Sequence, residues 1–253
     1  MTQPSYQSYV ICTSPRSGST LLCDLLKASG VAGRPGSHFH TPTFEGWCEA
    51  YGLTPEQATE AELRPRIFAA ALARGRGDTD VFGMRMQYRS LGFFRSQLAK
   101  FAPQRPTDIA RIEAVFGRTR FFYLKRADKV DQAVSLVKAG QTGLWHRAPD
   151  GTEIERLSPP AEPVYDVERL QDVYEMLVAA ETVWTDWFQA EGVSPVPLSY
   201  EVLSADPLGV LRDVLAAIGL DRAHADGVTP GVAKLADAVS ADWAAQLRKV
   251  VRV

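Results

Sequence analysis

Seven residues near the start of the chain carry side chains suited to holding an anion. Residues 14–20 read SPRSGST and combine hydroxyl donors with a proline, a glycine and a single arginine. A guanidinium presents its N–H groups as a rigid fork that matches a tetrahedral oxyanion. This composition predicts a loop that binds such an anion.

The residues on either side of the loop predict a strand before it and a helix after it. Residues 9–12 are apolar and partly β-branched, as in a buried strand, and the leucines of 21–26 recur at helical spacing. A helix that begins at a tight turn leaves its first N–H groups unpaired, and these favour an anion together with the helix dipole. An ordinary strand-to-helix turn also explains the serines, but it does not require Arg16.

Composition limits the kinds of protein this chain can be. Its 253 residues suit one sizeable α/β domain, and we expect a single domain over 1–253. The 28 basic and 30 acidic residues give a net charge of -2, which predicts no general attraction to nucleic acid or to an anionic membrane. The three cysteines are scattered, so we expect no disulfides and a reducing, cytoplasmic location.

Two further classes lack support in the sequence. No signal peptide is visible, and no apolar run approaches the roughly 20 residues of a membrane-spanning helix. The four histidines include no HExxH motif, so no metal site is expected.

Apolar stretches alternate with helical ones along the chain, which predicts an α/β fold with a central parallel sheet of four to five strands flanked by helices. The predicted strands are 9–12, 81–87, 120–125 and 194–200, and the predicted helices after the first are 55–75, 90–101, 129–140, 167–191 and 207–218. Segments near 34–54 and 146–166 have no such period and predict loop excursions. Loops at the carboxyl ends of parallel strands commonly shape a ligand pocket.

A second basic element follows the strand at 120–125. Arg126 stands at the end of that strand, Asp128 can cap the next helix, and Ser135 lies two turns into it. Taken alone, each is explained as a surface arginine or a serine on a helix face. Together with the loop at 14–20 they form a more specific pattern.

Three blocks resemble the bacterial trehalose 2-sulfotransferase-like family: SPRSGST at 14–20, RADKVDQAVSLVKAGQTGLW at 126–145 and KLADAVSADW at 234–243. Enzymes of this family move a sulfuryl group from 3′-phosphoadenosine 5′-phosphosulfate (PAPS) to a carbohydrate hydroxyl. The resemblance implies a P-loop-like sulfotransferase fold, PAPS as donor substrate and no metal. It also implies a carbohydrate or glycolipid acceptor, for example a lipopolysaccharide sugar.

The resemblance also implies roles for particular residues. The loop would hold the 5′-phosphosulfate, with Arg16 as a catalytic residue that neutralises the bridging and transferring oxygens. Arg126 and Ser135 match the positions that hold the 3′-phosphate, and Lys234 is a further candidate for that pocket. The loop residues assigned to the donor are Ser14, Pro15, Arg16, Ser17, Gly18, Ser19 and Thr20.

The sequence departs from the family where the catalytic base is expected. The family often carries Gly-Glu-Pro-x-Glu after the first helix, and the second glutamate is the proposed base. Here residues 33–37 read GRPGS, so Arg34 and Ser37 occupy the glutamate positions. A serine cannot take the acceptor's proton at neutral pH without a neighbouring base.

Three other residues are candidates for that base. His38 and His40 titrate near neutrality and lie in the same loop, although either can be an ordinary loop histidine. Glu181 lies in the middle of the apolar face of the helix predicted at 167–191. A carboxylate there must be paired or open onto a cavity, so a structural ion pair with an arginine is the alternative to catalysis.

Two other functions stay open at this point. A P-loop small-molecule kinase has the same strand–loop–helix start, but no lysine follows Gly18 and no apolar strand ends in an aspartate placed for Mg²⁺. A non-catalytic nucleotide-binding relative would have lost chemistry together with the loop glutamate. The altered loop at 34–40 argues against trehalose itself as acceptor, and the apolar residues of 41–75 leave a homodimer open.

Overall fold

The computed structural model describes residues 5–233 and 235–251. Six strands occur in this part of the chain: β1 (Ser8–Thr13), β2 (Phe82–Gln87), β3 (Thr119–Lys125), β4 (Leu144–Arg147), β5 (Glu153–Arg156) and β6 (Val196–Ser199). Four of them form one sheet in the order β2-β1-β3-β6, and every neighbouring pair is parallel. The predicted α/β fold with a central parallel sheet is confirmed.

Helices flank the sheet and fill the connections between its strands. They are α1 (Ser19–Ala28), α2 (Phe44–Ala50), α3 (Glu60–Arg76), α4 (Tyr88–Phe101), α5 (Asp108–Phe116), α6 (Lys129–Thr142), α7 (Val167–Ala190), α8 (Tyr200–Ala205), α9 (Pro207–Ile218) and α10 (Ala238–Val251). Short 3₁₀ turns occur at Pro55–Gln57 and Arg222–Ala225. None of the helices in the described ranges is long and apolar enough to cross a membrane.

The structure differs from the sequence-based expectation in the segment near 146–166. Strands β4 and β5 pair there as an antiparallel hairpin instead of continuing as a loop. The turn between them is closed by a hydrogen bond from Ala148 N to Thr152 O, and Gly151 takes a positive φ of 91°. Each strand has only four residues, which is too few for alternation of polar and apolar positions to reveal it.

The two faces of the sheet bury different kinds of side chain. On one face Tyr9 and Ile11 pack against aliphatic residues of α1 and α9. On the other face Val10 and Cys12 join a cluster rich in aromatic rings from α2, α3, α4, α5 and α7. A third core lies between α6, α7 and α10. The long α7 therefore belongs to two cores, which joins the helices to the sheet.

The order of the strands creates a crevice at the carboxyl edge of the sheet. From β1 the chain proceeds to one neighbour, β2, and then crosses over to the other neighbour, β3. In parallel α/β sheets such a switch in direction leaves a crevice outside the strand ends, where ligands bind. Thr13 lies opposite both Gln87 and Leu124, so the three strands end level. The residues that follow β1, β2 and β3 therefore meet.

Gly83 in β2 provides a test of this packing. A Cβ at this position would lie 2.4 Å from the hydroxyl oxygen of Tyr9 and 2.6 Å from its Cζ. The Tyr9 ring cannot yield, because its hydroxyl donates to Ala32 O at 2.8 Å and its ring is fully buried. We expect Gly83→Ala to lower the free energy of unfolding by about 1–3 kcal/mol, the usual cost of overpacking, as measured by urea denaturation.

Gly92 is the matched control for this change. It lies in α4 with nothing within 4 Å of an added Cβ, so Gly92→Ala should raise the free energy of unfolding by about 0.5–1 kcal/mol through helix propensity alone. If both substitutions shift the urea midpoint in the same direction, the close packing of Tyr9 on Gly83 is incorrect.

Candidate functional site

A cavity of about 1070 Å³ opens at the carboxyl edge of the sheet. Residues from the loop after β1, from the end of β2, from the start of α6 and from the β4–β5 hairpin share its wall. The predicted site residues in the wall are Pro15, Arg16, Gly18, Ser19, Thr20, His40, Arg126 and Ser135. The fold therefore brings together the two basic elements that are far apart in sequence.

The loop after β1 has an uncommon backbone conformation. Arg16 has a φ of 61° and is the single non-glycine residue with a positive φ in the described part of the chain. Such a conformation is costly for an L-residue and persists where surrounding contacts hold it, often at functional sites. Gly18 also takes a positive φ, 81°, and a Cβ there would lie 2.7 Å from Cδ2 of Tyr200. The loop is thus held tightly between β1 and α8.

Hydrogen bonds from buried side chains of β1, α6 and α7 keep the loop in place. Gln132 of α6 is fully buried, and its Nε2 donates to Ser14 Oγ at 2.9 Å and to Pro15 O at 2.6 Å. Thr13 Oγ1 and Ser17 Oγ are 2.6 Å apart, and Trp184 Nε1 donates to Thr13 O at 3.0 Å. These contacts connect the loop to β1, α6 and α7.

The structure places the side chains of Ser14 and Ser17 away from the cavity wall. Both side chains are buried, and neither residue lines the cavity. Their hydroxyls are engaged with Gln132 and Thr13 inside the protein. They therefore hold the loop in shape, while Ser19 and Thr20 present their side of the loop to the cavity.

Arg16 places a positive charge in the wall of the cavity. Its Nε donates to Ser135 Oγ at 2.9 Å and its Nη1 donates to Trp145 O at 2.7 Å. No carboxylate forms an ion pair with it within residues 5–233 and 235–251. Burial lowers the pKa of Arg16, and the neighbouring charge of Arg126 lowers it further. A bound anion would relieve both effects.

Arg126 follows β3, as predicted, and faces the same cavity. Its guanidinium lies 4.5 Å from the centre of the Tyr200 ring, and its Nη2 is 3.5 Å from Asp131 Oδ2. Ser135 lies beside Arg16, to which it is hydrogen-bonded, and in the same wall as Arg126. Asp128 caps α6 as expected, because its carboxylate accepts from Asp131 N at 2.8 Å.

Arg85 is a cavity residue that the sequence analysis did not assign to the site. Its Nη1 donates to Thr20 Oγ1 at 2.9 Å, and its Nε donates to Ser37 Oγ at 2.9 Å. At Ser37, where the resemblance described above implies a glutamate, Arg85 therefore meets a neutral hydroxyl. The signal in the sequence was an arginine inside an otherwise apolar strand.

The structure separates the two histidines proposed as bases. His38 is 8% exposed and does not line the cavity. Its Nε2 lies 3.2 Å from Arg34 O and 3.1 Å from Gly83 O, and burial lowers its pKa. Its ring holds the 34–38 loop against β2, which favours an ordinary structural histidine over a catalytic base. His40 is exposed and does line the cavity.

Glu181 and Lys234 complete the predicted residues. Glu181 pairs with two lysines rather than an arginine: Oε1 is 2.7 Å from Lys129 Nζ, and Oε2 is 3.7 Å from Lys125 Nζ. It lines a separate, smaller cavity beside β6, so the structure does not bring it to the loop at 14–18. That placement favours the ion-pair alternative for Glu181 over catalysis. Lys234 lies outside the described residues.

The β4–β5 hairpin supplies the other residues that sequence reasoning missed. His146 lines the cavity, and its Nδ1 lies 2.5 Å from Oε2 of Glu155 on the opposite strand. Arg147 and Arg156 line the cavity as well. Residues 146–166 have no helical or strand period in the sequence, so nothing there indicated a paired histidine and carboxylate.

Unpartnered polar atoms in the wall fit a polar ligand. Ser204 Oγ and Gln87 Oε1 belong to cavity residues, are buried, and have no hydrogen-bond partner among the described residues. Buried polar atoms are usually paired, so a ligand that reaches them would satisfy them. Within the same described ranges, no group of three or more His, Cys, Asp or Glu residues could hold a metal ion.

Two sulfotransferases are among the solved structures that this chain resembles. The sulfotransferase from Alicyclobacillus acidocaldarius has a TM-score of 0.41 and 16% identity, with 100% of this chain and 97% of that one covered. The sulfotransferase domain from the Synechococcus PCC 7002 olefin synthase has a TM-score of 0.38 and 15% identity, with 97% of this chain and 94% of that one covered.

Comparisons of sequence give relatives of higher identity. The trehalose 2-sulfotransferase of Mycobacterium tuberculosis (strain ATCC 35801 / TMC 107 / Erdman) is 28% identical over 95% of this chain and 94% of its own length. That of Mycolicibacterium smegmatis is 30% identical over 96% of this chain and 94% of its own. The family model of the Stf0 sulphotransferases matches residues 8–250. Because this match spans nearly the whole chain, the protein belongs to the Stf0 sulphotransferase family and is a sulfotransferase of the trehalose 2-sulfotransferase-like kind.

Proposed function

We propose that this sulfotransferase takes its sulfuryl group from PAPS and transfers it to a hydroxyl of a carbohydrate or glycolipid. The observation that carries the proposal is the convergence of Arg16 and Arg126 on one cavity, with no carboxylate paired to Arg16 in the described ranges. PAPS carries anionic groups at both ends of its nucleoside, a 5′-phosphosulfate and a 3′-phosphate. Two arginines at separate points of one wall suit such a donor.

The loop at 14–18 and the start of α1 would hold the 5′-phosphosulfate. The first N–H groups of α1 are free for an anion, because Gly18 caps the helix without a side-chain hydrogen bond. Arg85 donates a hydrogen bond to the hydroxyl of Thr20, which places its positive charge beside that hydroxyl. Transfer then forms a bond from the acceptor oxygen to sulfur, while the bond from sulfur to the phosphate oxygen breaks and its electron pair stays on that oxygen.

Arg16 is the residue positioned to stabilise the negative charge that develops in the transition state. With Nε and Nη1 engaged by Ser135 and Trp145, its Nη2 group is left to reach an oxygen of the donor. Charge builds on the phosphate-side oxygen as the S–O bond breaks. Stabilising that charge favours the transition state over the bound ground state. Since arginines supply the positive charge, we expect transfer without an added metal ion.

Exposed apolar side chains on the segment around Leu157 indicate what kind of acceptor the cavity can bind. Leu157 lines the cavity and is 67% exposed, and Ile154 and Val164 of the same segment of the chain are exposed apolar side chains as well. Exposed apolar groups at the rim of a pocket commonly mark a binding surface. This supports an acceptor that carries an apolar portion next to its sugar, such as a glycolipid.

Location and assembly are also proposals. The three cysteines are buried and free, which supports a reducing cytoplasm.

The apolar residues of 41–75 that suggested a homodimer contribute Phe44, Trp47 and Phe68 to the core, so they are used within the chain. A homodimer would need another surface, and light scattering on the purified protein measures its mass directly.

The experiment that tests the proposed function is a transfer assay with ³⁵S-labelled PAPS in the presence of EDTA. Trehalose, other sugars and glycolipids serve as acceptors, and ATP with Mg²⁺ replaces PAPS in parallel. Label in a sugar or glycolipid supports the proposal. Magnesium-dependent use of ATP would instead support the kinase, and binding of 3′-phosphoadenosine 5′-phosphate without transfer to any acceptor would support the non-catalytic relative.

The first prediction for this function concerns Arg16. Arg16→Ala should lower kcat by a factor on the order of 10²–10³, the usual effect of losing one preorganised electrostatic contact. The KM for PAPS should rise less, because α1 and Thr20 still hold the anion. Arg16→Lys should recover part of the rate, since it keeps a charge and loses the fork.

Arg222→Ala is the control for this measurement, because Arg222 is exposed and pairs with Asp213 on the surface. A normal kcat with a raised KM in Arg16→Ala would show that Arg16 only positions the donor. Another group would then have to meet the developing charge.

The second prediction concerns the 3′-phosphate. Arg126→Ala should weaken binding of 3′-phosphoadenosine 5′-phosphate by about 2–3 kcal/mol, the scale of a charge-assisted hydrogen bond. Binding of adenosine 5′-phosphate, which lacks the 3′ group, should change much less. Isothermal titration calorimetry of both nucleotides gives the comparison, again with Arg222→Ala as control. If the mutant still prefers the 3′-phosphorylated nucleotide as strongly as the wild type, Arg126 does not bind that phosphate.

A further inference from the structure

We infer that His146, oriented by Glu155, is the base that takes the proton of the acceptor hydroxyl. The inference rests on the proposed function, because it needs PAPS as donor and a hydroxyl as acceptor. It supplies the group that Ser37 cannot provide, and it places that group on the β4–β5 hairpin instead of the 34–40 loop.

The contact between the two side chains fixes how the imidazole is protonated. Nδ1 of His146 lies 2.5 Å from Oε2 of Glu155, which is within hydrogen-bond reach. A carboxylate can only accept, so Nδ1 carries the proton that is donated. Nε2 of the neutral ring is then left with its lone pair, and the base is both oriented and ready.

The position of the hairpin brings this ring to the reacting groups. The carbonyl of Trp145, the residue before His146, accepts the hydrogen bond from Arg16 Nη1. His146 lines the same cavity as Arg16, Thr20 and Arg85. The residue proposed to stabilise the transition state is therefore bonded to the strand that carries the base, so donor and base are positioned by one contact.

Two contacts hold the other strand of the hairpin against the end of α6. Arg156 Nη1 donates to Thr142 O at 2.6 Å, and Leu157 N donates to Gly143 O at 2.8 Å. A base that must meet a hydroxyl at hydrogen-bond distance needs a fixed support of this kind. The β4–β5 hairpin is therefore a supported part of the cavity wall.

The charges around the ring favour its neutral form. Burial lowers the pKa of His146, and the positive charges of Arg16 after β1 and Arg85 of β2 lower it further. Glu155 of β5 acts in the opposite direction, and Asp24 of α1 also faces this group of charges. The folded-state pKa thus lies below the ordinary histidine value of about 6.5. At neutral pH the ring is uncharged and able to accept a proton.

The proposed step is balanced within the groups named. The O–H bond of the acceptor breaks and its proton goes to Nε2 of His146 as the acceptor oxygen bonds to sulfur. The S–O bond to the donor phosphate breaks, with its electron pair left on the phosphate oxygen. The imidazolium that results is stabilised by the carboxylate of Glu155 and later loses its proton to water.

The remaining candidates are placed less well for this task. The His38 ring faces two backbone carbonyls behind the cavity, and Glu181 is paired with lysines in a different one. His40 lines the cavity but is exposed, and within the described residues no carboxylate orients its ring. It is therefore the alternative that the experiment must separate from His146.

The test compares two acceptors that differ in their need for a base. With labelled PAPS and trehalose, or the sugar that the wild type sulfates fastest, His146→Gln should lower kcat by a factor on the order of 10²–10⁴, the usual contribution of a general base. With 4-nitrophenol at a pH where it is already ionised, the same variant should stay within a few-fold of wild type. Binding of 3′-phosphoadenosine 5′-phosphate should be unchanged.

Glu155→Gln gives a second readout that a merely structural role would not move. Glu155 raises the pKa of His146, so its removal should shift the acid limb of the kcat/KM profile to lower pH while kcat falls. His224→Gln, which changes an exposed histidine on the 3₁₀ turn at Arg222–Ala225, is the control and should match wild type.

Specific results would overturn the inference. Wild-type turnover of the sugar by His146→Gln contradicts it, as does an equal loss with both acceptors. A selective loss in His40→Gln instead would assign the base to His40. If wild-type protein binds 3′-phosphoadenosine 5′-phosphate but transfers label to neither acceptor, the proposed function itself fails and this inference falls with it.

Discussion

The arrangement of the site depends on one buried amide, the side chain of Gln132. Arg16 has a left-handed backbone, which an isolated loop would avoid, and the bonds from Gln132 to Ser14 and Pro15 hold the residues just before it. Trp184 of α7 donates a hydrogen bond to the carbonyl of Thr13, the last residue of β1. Because α6 and α7 share a core, the conformation of the loop at 14–18 depends on the packing of these helices.

The second constraint is electrostatic. Arg16 and Arg126 line the same cavity, and the charge of Arg126 lowers the pKa of Arg16. The two positive charges therefore repel each other in the folded protein. Surface arginines such as Arg212 and Arg222 have carboxylate partners, whereas Arg16 bonds to neutral oxygens. A site that keeps positive charge uncompensated in a partly buried wall is prepared for an anionic ligand. The cost of folding is offset when that ligand binds.

Much of the fold could be predicted from the sequence because its signals are local. The predicted helices at 167–191 and 207–218 agree closely with Val167–Ala190 and Pro207–Ile218, where apolar spacing and the caps at Asp166 and Asp206 coincide. Of the residues that line the cavity, Arg16, Arg126 and Ser135 were predicted through motif and resemblance. Arg85, His146 and Glu155 were not, because they reach the cavity through contacts between segments distant in sequence. A lone arginine in a strand and a histidine in an irregular segment carry no periodic signal.

The change at position 37 and the histidine on the hairpin are physically coupled. Ser37 accepts a hydrogen bond from Arg85 as a neutral hydroxyl, so it does not offset the charge of Arg85. That charge is one of those that lower the pKa of His146. A carboxylate at position 37 would lie against Arg85, offset its field and let the pKa of His146 rise, which would leave the ring more often protonated and unable to accept a proton. A neutral serine at position 37 therefore leaves the charge of Arg85 to favour the neutral form of His146.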